Sequence, residues 1–321
     1  MTRRALVTGG AGFIGSHVAD LFLSNGWSVE IIDNLSSGRR ENVSSGAKLH
    51  TVDIRSPEAA ALVSGGSFDV IAHLAAQIDV RKSVNDPAFD ASVNVLGALN
   101  LVEALRRSSG ARQTRFVFAS TGGALYGDHA TPPNAETVVK EPDSPYGIAK
   151  LATELYMSYY ARVQGMNMVA VRFANVYGPR QDPHGEAGVV AIFCERILSG
   201  RPMTVFGDGT QTRDYVHVSD VAAATFAAAT KSLPDPRRLD DRAFNVGTGV
   251  ATSVLDLAEV LRAAAGSKTQ IEFAPKRPGE QQQSFLVVEK AKSQLGWSAR
   301  ISLEEGLADT FRWFSANTRT K

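Results

Sequence analysis

Thr8-Gly9-Gly10-Ala11-Gly12-Phe13-Ile14-Gly15 joins a short apolar run at residues 5–8 to a helical pattern at residues 13–23. Three of its glycines have a G-x-x-G-x-x-G spacing, which is a variant of the fingerprint that binds dinucleotides. Glycine permits the tight turn and lets the backbone approach a pyrophosphate at the helix N-terminus. A strand, this turn and a helix therefore predict the first unit of a dinucleotide-binding sheet.

Outward from this turn, short apolar runs alternate with helical patterns. Strands are predicted at residues 29–32, 48–52, 70–74, 116–119, 168–173 and 243–247, and helices at residues 87–107, 145–163, 189–198 and 218–229. Apolar strands separated by helices indicate a parallel sheet covered on both faces, the doubly wound α/β (Rossmann) class. We expect a dinucleotide-binding domain at residues 1–177, with its sheet completed by about residues 242–248. Residues 178–321 are expected to form mainly a smaller α/β substrate lobe.

The composition excludes several classes of protein. The chain has 321 residues, a formal net charge of +1 and mixed charges, so no nucleic-acid or membrane-surface patch is expected. Cys194 is the only cysteine, which rules out an internal disulfide and favours an intracellular setting. The first apolar run is too short for a signal peptide, and a run of about 18 apolar residues is not expected anywhere. The scattered histidines predict no metal site. We therefore expect a cytoplasmic protein.

Asp33 ends the second predicted strand and follows Gly12 by 21 residues, near the separation of a ribose-binding acid. A carboxylate accepts hydrogen bonds from the adenosine ribose and repels a 2′-phosphate, so NAD is favoured over NADP. Arg39 and Arg40 stand nearby and could hold that phosphate, but we interpret them as surface charges. Asp53 follows the third strand, where it either contacts the adenine or caps the next turn.

Tyr146 and Lys150 are four residues apart in a predicted helix, so their side chains share one face. An ammonium beside a phenol favours the phenolate, and we expect the pKa of Tyr146 to fall toward neutrality. Next to a nicotinamide, such a phenolate is a base that removes a proton from an alcohol.

These residues together resemble the extended short-chain dehydrogenase/reductase family, and most closely its UDP-sugar 4-epimerases. The resemblance runs nearly end to end. Its motifs are the turn at residues 8–15, Asp33-Asn34, Asp53-Ile54, Leu74-Ala75-Ala76, Asn94, and residues 120–127, 146–150, 175–180, 213–218 and 277–280.

The resemblance implies bound NAD and a set of residues that hold it. The implied set is Gly9, Gly12, Phe13, Ile14, Gly15, Asp33, Asn34, Ser36, Gly38, Asp53, Ile54, Leu74, Ala75, Ala76, Gln77, Asn94, Ala119, Tyr146, Lys150, Phe173 and Val176. It also implies a homodimer built from the helices at residues 87–107 and 145–163.

The implied chemistry is oxidation at C4 of a UDP-sugar, rotation of the 4-keto sugar, and reduction from the opposite face. Tyr146 removes and returns the proton, while Lys150 holds the nicotinamide ribose and stabilises the phenolate. We assign the hydrogen bond to the 4-oxygen to Thr121 and place Ser120 nearer the nicotinamide, although either hydroxyl could donate. Sugar 4,6-dehydratases carry Asp-Glu where this chain has Gly122-Gly123, and UDP-glucuronate decarboxylases carry a Glu, so neither elimination nor decarboxylation is expected.

The resemblance also implies the residues that hold the substrate. They are Arg81, Thr121, Tyr146, Asn175, Val189, Val190, Thr204, Phe206, Gln211, Arg213, Arg277 and Glu280. Arg213 and Arg277 would bind the diphosphate, although each has an acidic neighbour, Asp214 or Glu280, with which it could simply pair.

The sequence leaves the identity of the sugar open. Gln77, Arg81, Thr121 and Arg180 could each approach it, and a hexose, an N-acetylhexosamine or a uronate would fit. Two other activities also remain: an NDP-sugar reductase or dehydrogenase, and a non-catalytic NAD(H) sensor on the same fold.

Overall fold

The computed structural model describes residues 2–184, 188–276 and 281–318. The strands are β1 (Arg4–Thr8), β2 (Ser28–Ile32), β3 (Ala47–His50), β4 (Val70–His73), β5 (Arg115–Thr121), β6 (Asn167–Phe173), β7 (Asn175–Tyr177), β8 (Met203–Phe206), β9 (Thr212–Arg213), β10 (Tyr215–His217), β11 (Ala243–Val246), β12 (Thr252–Ser253), β13 (Ile271–Ala274) and β14 (Gln283–Ser284).

The α-helices are α1 (Phe13–Ser24), α2 (Pro57–Gly65), α3 (Val80–Asn85), α4 (Pro87–Ala91), α5 (Ala98–Arg106), α6 (Pro145–Gln164), α7 (Val189–Leu198), α8 (Val218–Thr230), α9 (Val254–Ala264) and α10 (Leu303–Thr318). Helices α2, α4 and α6 begin with proline, directly after the capping side chains of Ser56, Asp86 and Ser144. Proline is pre-organised for a first helical position, and each cap satisfies an amide that the helix leaves open.

Seven parallel strands form the main sheet in the order β3-β2-β1-β4-β5-β6-β11. Strands β4, β5, β6 and β11 are buried along nearly their whole length because helices cover both faces of the sheet, whereas the edge strand β3 is only partly buried. The strand order changes direction between β1 and β4. A crevice opens at the carboxyl ends of the strands at such a point, and ligands of this fold class bind there. The predicted doubly wound α/β class is confirmed.

Two apolar layers enclose the sheet. On one face α1 and α8 meet, with the Phe22 ring centroid 5.0 Å from Trp27 and 5.1 Å from Phe226. On the other face α2, α5 and α6 bury a second cluster that includes Leu101 and Met157. Burial of this apolar surface is the main force that holds the helices against the sheet.

A third cluster lies in the C-terminal lobe, where α7, α9 and α10 pack around β8 and β13. Phe193, Leu257 and Phe314 are among its buried side chains. The main sheet and this lobe are not built from two consecutive segments of the chain. After entering the lobe, the chain returns to the sheet, where α8 packs on α1 and β11 pairs with β6.

One helical run, Pro87–Arg106, is long and apolar enough to cross a membrane by length and composition. It consists of α4, a π-helical turn at Ser92–Gly97, and α5. The run includes Asp90, Asn94 and Glu103, so it is not a continuous span of apolar residues. The apolar side chains have a structural explanation here, because α5 packs on α2 and the first half of the run packs on α6.

Candidate active site

The glycine turn between β1 and α1 has no room for side chains. Gly9 has φ +72°, and a Cβ there would lie 2.7 Å from the Ala75 amide nitrogen. A Cβ on Gly15 would overlap the Gly9 carbonyl oxygen. Gly12 caps α1 without a side chain, so the first amides of α1 have no side-chain acceptor at that position. This backbone cradle fits the pyrophosphate of a dinucleotide.

A cavity of about 240 Å³ begins at this turn and passes the carboxyl ends of β1, β4 and β5. The predicted cofactor residues in its wall are Gly9, Gly12, Phe13, Ile14, Gly15, Asp33, Asn34, Ser36, Asp53, Ile54, Leu74, Ala75, Ala76, Gln77, Ala119, Tyr146, Lys150 and Phe173. Ser37, Val52, Arg55, Ile78 and Val93 also line it and were not predicted. They lie on loops and helix faces whose composition carries no motif.

Three predicted cofactor residues do not line this cavity: Gly38, Asn94 and Val176. Gly38 instead makes room for Asp33, since a Cβ on Gly38 would lie 2.8 Å from Asp33 Oδ1. Asn94 supports the wall from behind, because its side chain bonds both the amide and the carbonyl of Gln77, each at 2.9 Å. Val176 lies on β7, which pairs with β10.

The Asp33 carboxylate is fixed at the end of β2. It accepts from the amides of Ala11 at 3.0 Å and Leu35 at 2.8 Å, and the residue is 7% exposed. A buried, oriented anion at this place accepts from ribose hydroxyls and disfavours a phosphate, which fits NAD. Arg39 pairs with Asp182 at 3.4 Å, and neither Arg39 nor Arg40 lines the cavity.

Asp53 both lines the cavity and holds its own turn. Its carboxylate accepts from the Arg55 guanidinium at 2.8 and 2.9 Å, from the Arg55 amide at 2.9 Å, and from Asn34 at 3.1 Å. The hydrogen bonds from the Arg55 side chain lower the pKa of Asp53 to about 2. Asp53 therefore holds the turn that follows β3 and also lines the cavity, where an adenine could contact it. Arg55 lines the cavity as well, but it lies one residue beyond the Asp53-Ile54 motif and was not predicted.

Tyr146 and Lys150 reach the far end of the cavity from the first two turns of α6. Ser144 caps the first turn by accepting from the Gly147 amide at 3.1 Å. Lys150 is 4% exposed and its Nζ donates to the Ala119 carbonyl at 2.8 Å. The Lys150 Nζ lies 5.8 Å from the centroid of the Tyr146 ring. The helix thus brings the phenol and the ammonium to the edge of the sheet where the cavity ends.

The electrostatics of this pair differ from the expectation. Burial, with a contribution from the Asp90 carboxylate, raises the pKa of Tyr146 above its usual range. Burial lowers the pKa of Lys150 to about 8, and the charges of Asp90 and Glu154 oppose that shift. The predicted fall in the Tyr146 pKa is therefore wrong for the protein alone, because desolvation outweighs the neighbouring ammonium.

Ser120 and Thr121, at the end of β5, have different surroundings. Ser120 is 4% exposed and lines the cavity, and its hydroxyl has no hydrogen-bond partner among the described residues. Thr121 Oγ1 accepts from the Ala124 amide at 3.1 Å and lies near Gly123, on the side of Asn175. Ser120 therefore faces the cofactor cavity, and Thr121 lies toward Asn175 of β7.

Gly122 and Gly123 follow directly. A Cβ on Gly122 would lie 2.5 Å from Leu286 Cδ1, so a side chain at this position would require the Leu286 side chain to move. The position at Gly123 is more open, with its nearest neighbours at 3.8 Å or more. No second acid or base is thus placed beside Thr121 by these two residues.

The predicted substrate residues are dispersed along the chain, and most of them lie in its second half. Arg213 lies on β9, and its neighbour Asp214 accepts from Thr248 and Gly249 rather than pairing with Arg213. Arg180 pairs with Asp20 of α1 at 2.7 Å. The guanidinium of Arg180 is thus engaged at α1, and an approach of this group to the sugar is not favoured.

Other predicted substrate residues have clear structural positions. Val190 is 1% exposed and packs inside the lobe core, so it contributes packing rather than an open wall. Gln211 donates to the Phe206 carbonyl at 3.0 Å and closes the turn between β8 and β9. Asn175, Val189, Thr204 and Arg81 lie on β7, α7, β8 and α3 respectively. Arg277 and Glu280 lie outside the described residues.

Known proteins resemble this chain in both sequence and fold. A family model described as GDP-mannose 4,6 dehydratase matches residues 6–310. The UDP-glucose 4-epimerase of Mycolicibacterium smegmatis is 44% identical over 97% of this chain and 98% of its own length. The crystal structure of UDP-glucose 4-epimerase with UDP-glucose from Thermotoga maritima has a TM-score of 0.92 at 44% identity and covers 98% of this chain and 99% of its own. The Thermus thermophilus UDP-glucose 4-epimerase complex with NAD has a TM-score of 0.88 at 42% identity, with coverage of 98% and 99%.

These relatives confirm the predicted family and its cofactor, and the residues of the cavity fit NAD. The family model is described as a dehydratase, but this chain has Gly122 and Gly123 where the Asp-Glu pair of sugar 4,6-dehydratases is expected. The chain therefore belongs to the extended short-chain dehydrogenase/reductase family, within its NAD-dependent UDP-sugar 4-epimerases.

Proposed function

We propose that this enzyme interconverts UDP-glucose and UDP-galactose. The observation that carries the proposal is the Tyr146 and Lys150 pair at the end of a dinucleotide cavity, beside two glycines that supply no further acid or base. Similar proteins named UDP-glucose 4-epimerase, one of them bound to UDP-glucose, favour glucose over the other sugars.

The residues of the chain have distinct roles in this reaction. NAD, when bound, accepts a hydride from C4 of the sugar and returns it. Tyr146 takes the proton of the 4-hydroxyl and gives it back after the 4-keto sugar has turned over. Lys150, anchored on the Ala119 carbonyl, supplies the positive charge that stabilises the phenolate. Thr121 is proposed as the donor to the 4-oxygen, and the unpartnered hydroxyl of Ser120 is directed at the cofactor side.

The diphosphate of the substrate needs cationic and amide partners from the lobe. We propose Arg213 and Asn175 for this role together with Arg277, and Glu280 for the uridine ribose. The alternative, a pair between Arg213 and Asp214, is not formed, because the Asp214 carboxylate accepts hydrogen bonds from Thr248 and Gly249; this supports the proposal.

The test is a substrate panel with NAD present. UDP-glucose, UDP-N-acetylglucosamine and UDP-glucuronate are incubated separately with the enzyme, and the products are separated and identified. We expect UDP-glucose to be converted fastest to its 4-epimer, with no net NADH. Stoichiometric NADH or a deoxy sugar would contradict epimerisation, whereas faster conversion of UDP-glucuronate would move the assignment to the uronate.

We also propose a cytoplasmic homodimer. The support is an exposed apolar surface on α6, which we call the α6 face and define by Ile148, Leu155, Tyr156, Tyr159 and Val163. These side chains are between 43% and 62% exposed, and they recur at helical spacing. An exposed apolar stripe of this kind is typical of an interface between subunits.

A further inference from the structure

A buried carboxylate lies beside the catalytic pair and has no part in the reaction as described so far. Asp90 belongs to α4 and is 1% exposed. Its Oδ1 accepts from Gln77 Nε2 at 2.8 Å and from Asn94 Nδ2 at 3.0 Å. Its Oδ2 is buried without a hydrogen-bond partner among the described residues. A buried carboxylate with one oxygen lacking a hydrogen bond is costly for the folded state, which suggests that Asp90 has a functional role.

The surroundings hold Asp90 close to Tyr146 and Lys150. The helix α4 and the π-helical turn after it pack on α6, and Thr153 Oγ1 of α6 donates to the Asn94 carbonyl at 3.0 Å. Asp90 acts electrostatically on both members of the pair. Its position is therefore set by neutral amides on one side and by the catalytic helix on the other.

The other charges around Lys150 are compensated. Glu154, one turn further along α6, is in a buried ion pair with Arg172 at 2.6 Å. His73 of β4 bonds Thr8 at 2.6 Å, and burial together with the Lys150 charge lowers its pKa to about 3, so it is neutral. On the α3 side of Asp90, the Lys82 ammonium lies over the Phe89 ring. The side-chain amide of Gln77, which donates to Asp90, also donates to the backbone carbonyl of Asp79.

Asp90 therefore differs from Glu154: among the described residues, its hydrogen bonds come from neutral amides and not from a cation. We propose that Asp90 is a positioning residue of the active site, whose buried negative charge favours the protonated forms of both Lys150 and Tyr146. A negative charge favours the protonated form of each neighbour. Burial alone would strip Lys150 of the charge on which the phenolate depends, and Asp90 opposes that loss.

The first test measures Lys150 directly and does not depend on activity. The lysine side chains of the NAD-loaded protein are isotopically labelled and titrated by NMR, with Lys150 assigned by its absence in Lys150→Met. In Asp90→Asn, which keeps the shape and an acceptor oxygen, we expect the apparent pKa of Lys150 to fall by about one unit. Asp86→Asn is the matched control, because Asp86 caps the same helix but is exposed. An unchanged Lys150 pKa in Asp90→Asn would overturn the proposal.

The second test is the pH profile of epimerisation and rests on the proposed function. Removal of the charge lowers the pKa of both groups, so the acid limb, where Tyr146 must lose its proton, moves to lower pH. The alkaline limb, where Lys150 must keep its proton, moves the same way. A purely structural role would reduce the height of the profile without moving it, and that result would refute the charge effect.

The two tests can refute the proposed function and the role of Asp90 independently of each other. A wild-type protein that does not epimerise any UDP-sugar would refute the proposed function, while the NMR titration would still decide the role of Asp90. If Asp90→Asn does not fold, Asp90→Ser removes the same charge with a smaller polar group. If that variant is unfolded too, the wild-type titration remains: Lys150 should be protonated at neutral pH, and a wild-type pKa below neutrality would contradict the inference.

Discussion

At the scale of single residues, the sequence spacing identified Tyr146 and Lys150 as a pair but did not predict their pKa values. Tyr146 and Lys150 meet because four residues make about one helical turn. Their pKa values depend instead on burial and on Asp90, which comes from a different helix. The same holds for the hydroxyls of Ser120 and Thr121. They are neighbours in sequence, yet one faces the cofactor cavity and the other receives a hydrogen bond from a turn.

The role of Tyr146 is tested by Tyr146→Phe. We expect this variant to fold and bind NAD but to lose at least about a hundred-fold in kcat, because only the hydroxyl that carries the proton is removed. Initial rates with UDP-glucose and the NAD content of the purified protein provide the measurement. Tyr156→Phe is the control, since Tyr156 lies on the same helix and the residue is 45% exposed. Near-normal turnover in Tyr146→Phe would exclude this residue as the base.

At the scale of elements, strong patterns were predicted well and short ones were not. The predicted helix at residues 189–198 coincides with α7, and the strands of the main sheet lie within about two residues of their predicted bounds. The short helices α2 and α3 and the two-residue strands of the lobe carry too few periodic residues to be recognised. The run predicted as one helix at residues 87–107 contains a π-helical turn, from which Asn94 holds the Gln77 backbone.

The turn between β1 and α1 is tested by Gly15→Ala. The added Cβ would overlap the Gly9 carbonyl oxygen, which is backbone and cannot rotate away. Such overpacking costs about 1 to 3 kcal/mol, so we expect NAD affinity to fall at least about five-fold. Calorimetric titration of the NAD-depleted protein measures this. Gly65→Ala is the control, because a Cβ there meets nothing within 4 Å. Equal affinities of the two variants would contradict the close-packed turn.

At the scale of the whole molecule, a buried polar network joins segments that are far apart in sequence. Arg172 on β6 is fully buried and pairs with Glu154 at 2.6 Å and with Asp240 at 2.8 Å. It also donates to the Tyr126 hydroxyl and to the Glu136 carbonyl. These contacts tie the catalytic helix α6 to the segment before β11 and to the loop after β5.

Arg172→Met tests this network. It leaves the Glu154 carboxylate buried without its cation, and we expect the free energy of unfolding to fall by about 3 to 5 kcal/mol. The control is Arg262→Met, which removes an i,i+3 pair with the half-exposed Glu259 and should cost less than about 1 kcal/mol. Denaturant unfolding curves of both variants give the comparison. A similar small loss in both would mean that the buried network does not stabilise the fold.

The proposed dimer is tested on the α6 face. Leu155→Glu places a charge on a surface that would be buried between subunits, so we expect a dimeric wild type and a monomeric variant in sedimentation experiments. Phe273→Glu is the control, because Phe273 is 59% exposed on β13, outside the α6 face. A monomeric wild type, or a Leu155→Glu variant that stays dimeric, would remove the α6 face as the interface.

The sequence alone determined the doubly wound fold, NAD and the Tyr146 and Lys150 pair. Each is encoded locally: by apolar runs, by a glycine turn next to a strand and a helix, and by a one-turn spacing. Only the tertiary structure decided which charges surround that pair, which hydroxyl faces the cofactor cavity, and that Arg172 and Asp90 are buried. These properties depend on desolvation and on neighbours brought together by the packing of separate elements, and a linear pattern of residues does not record them.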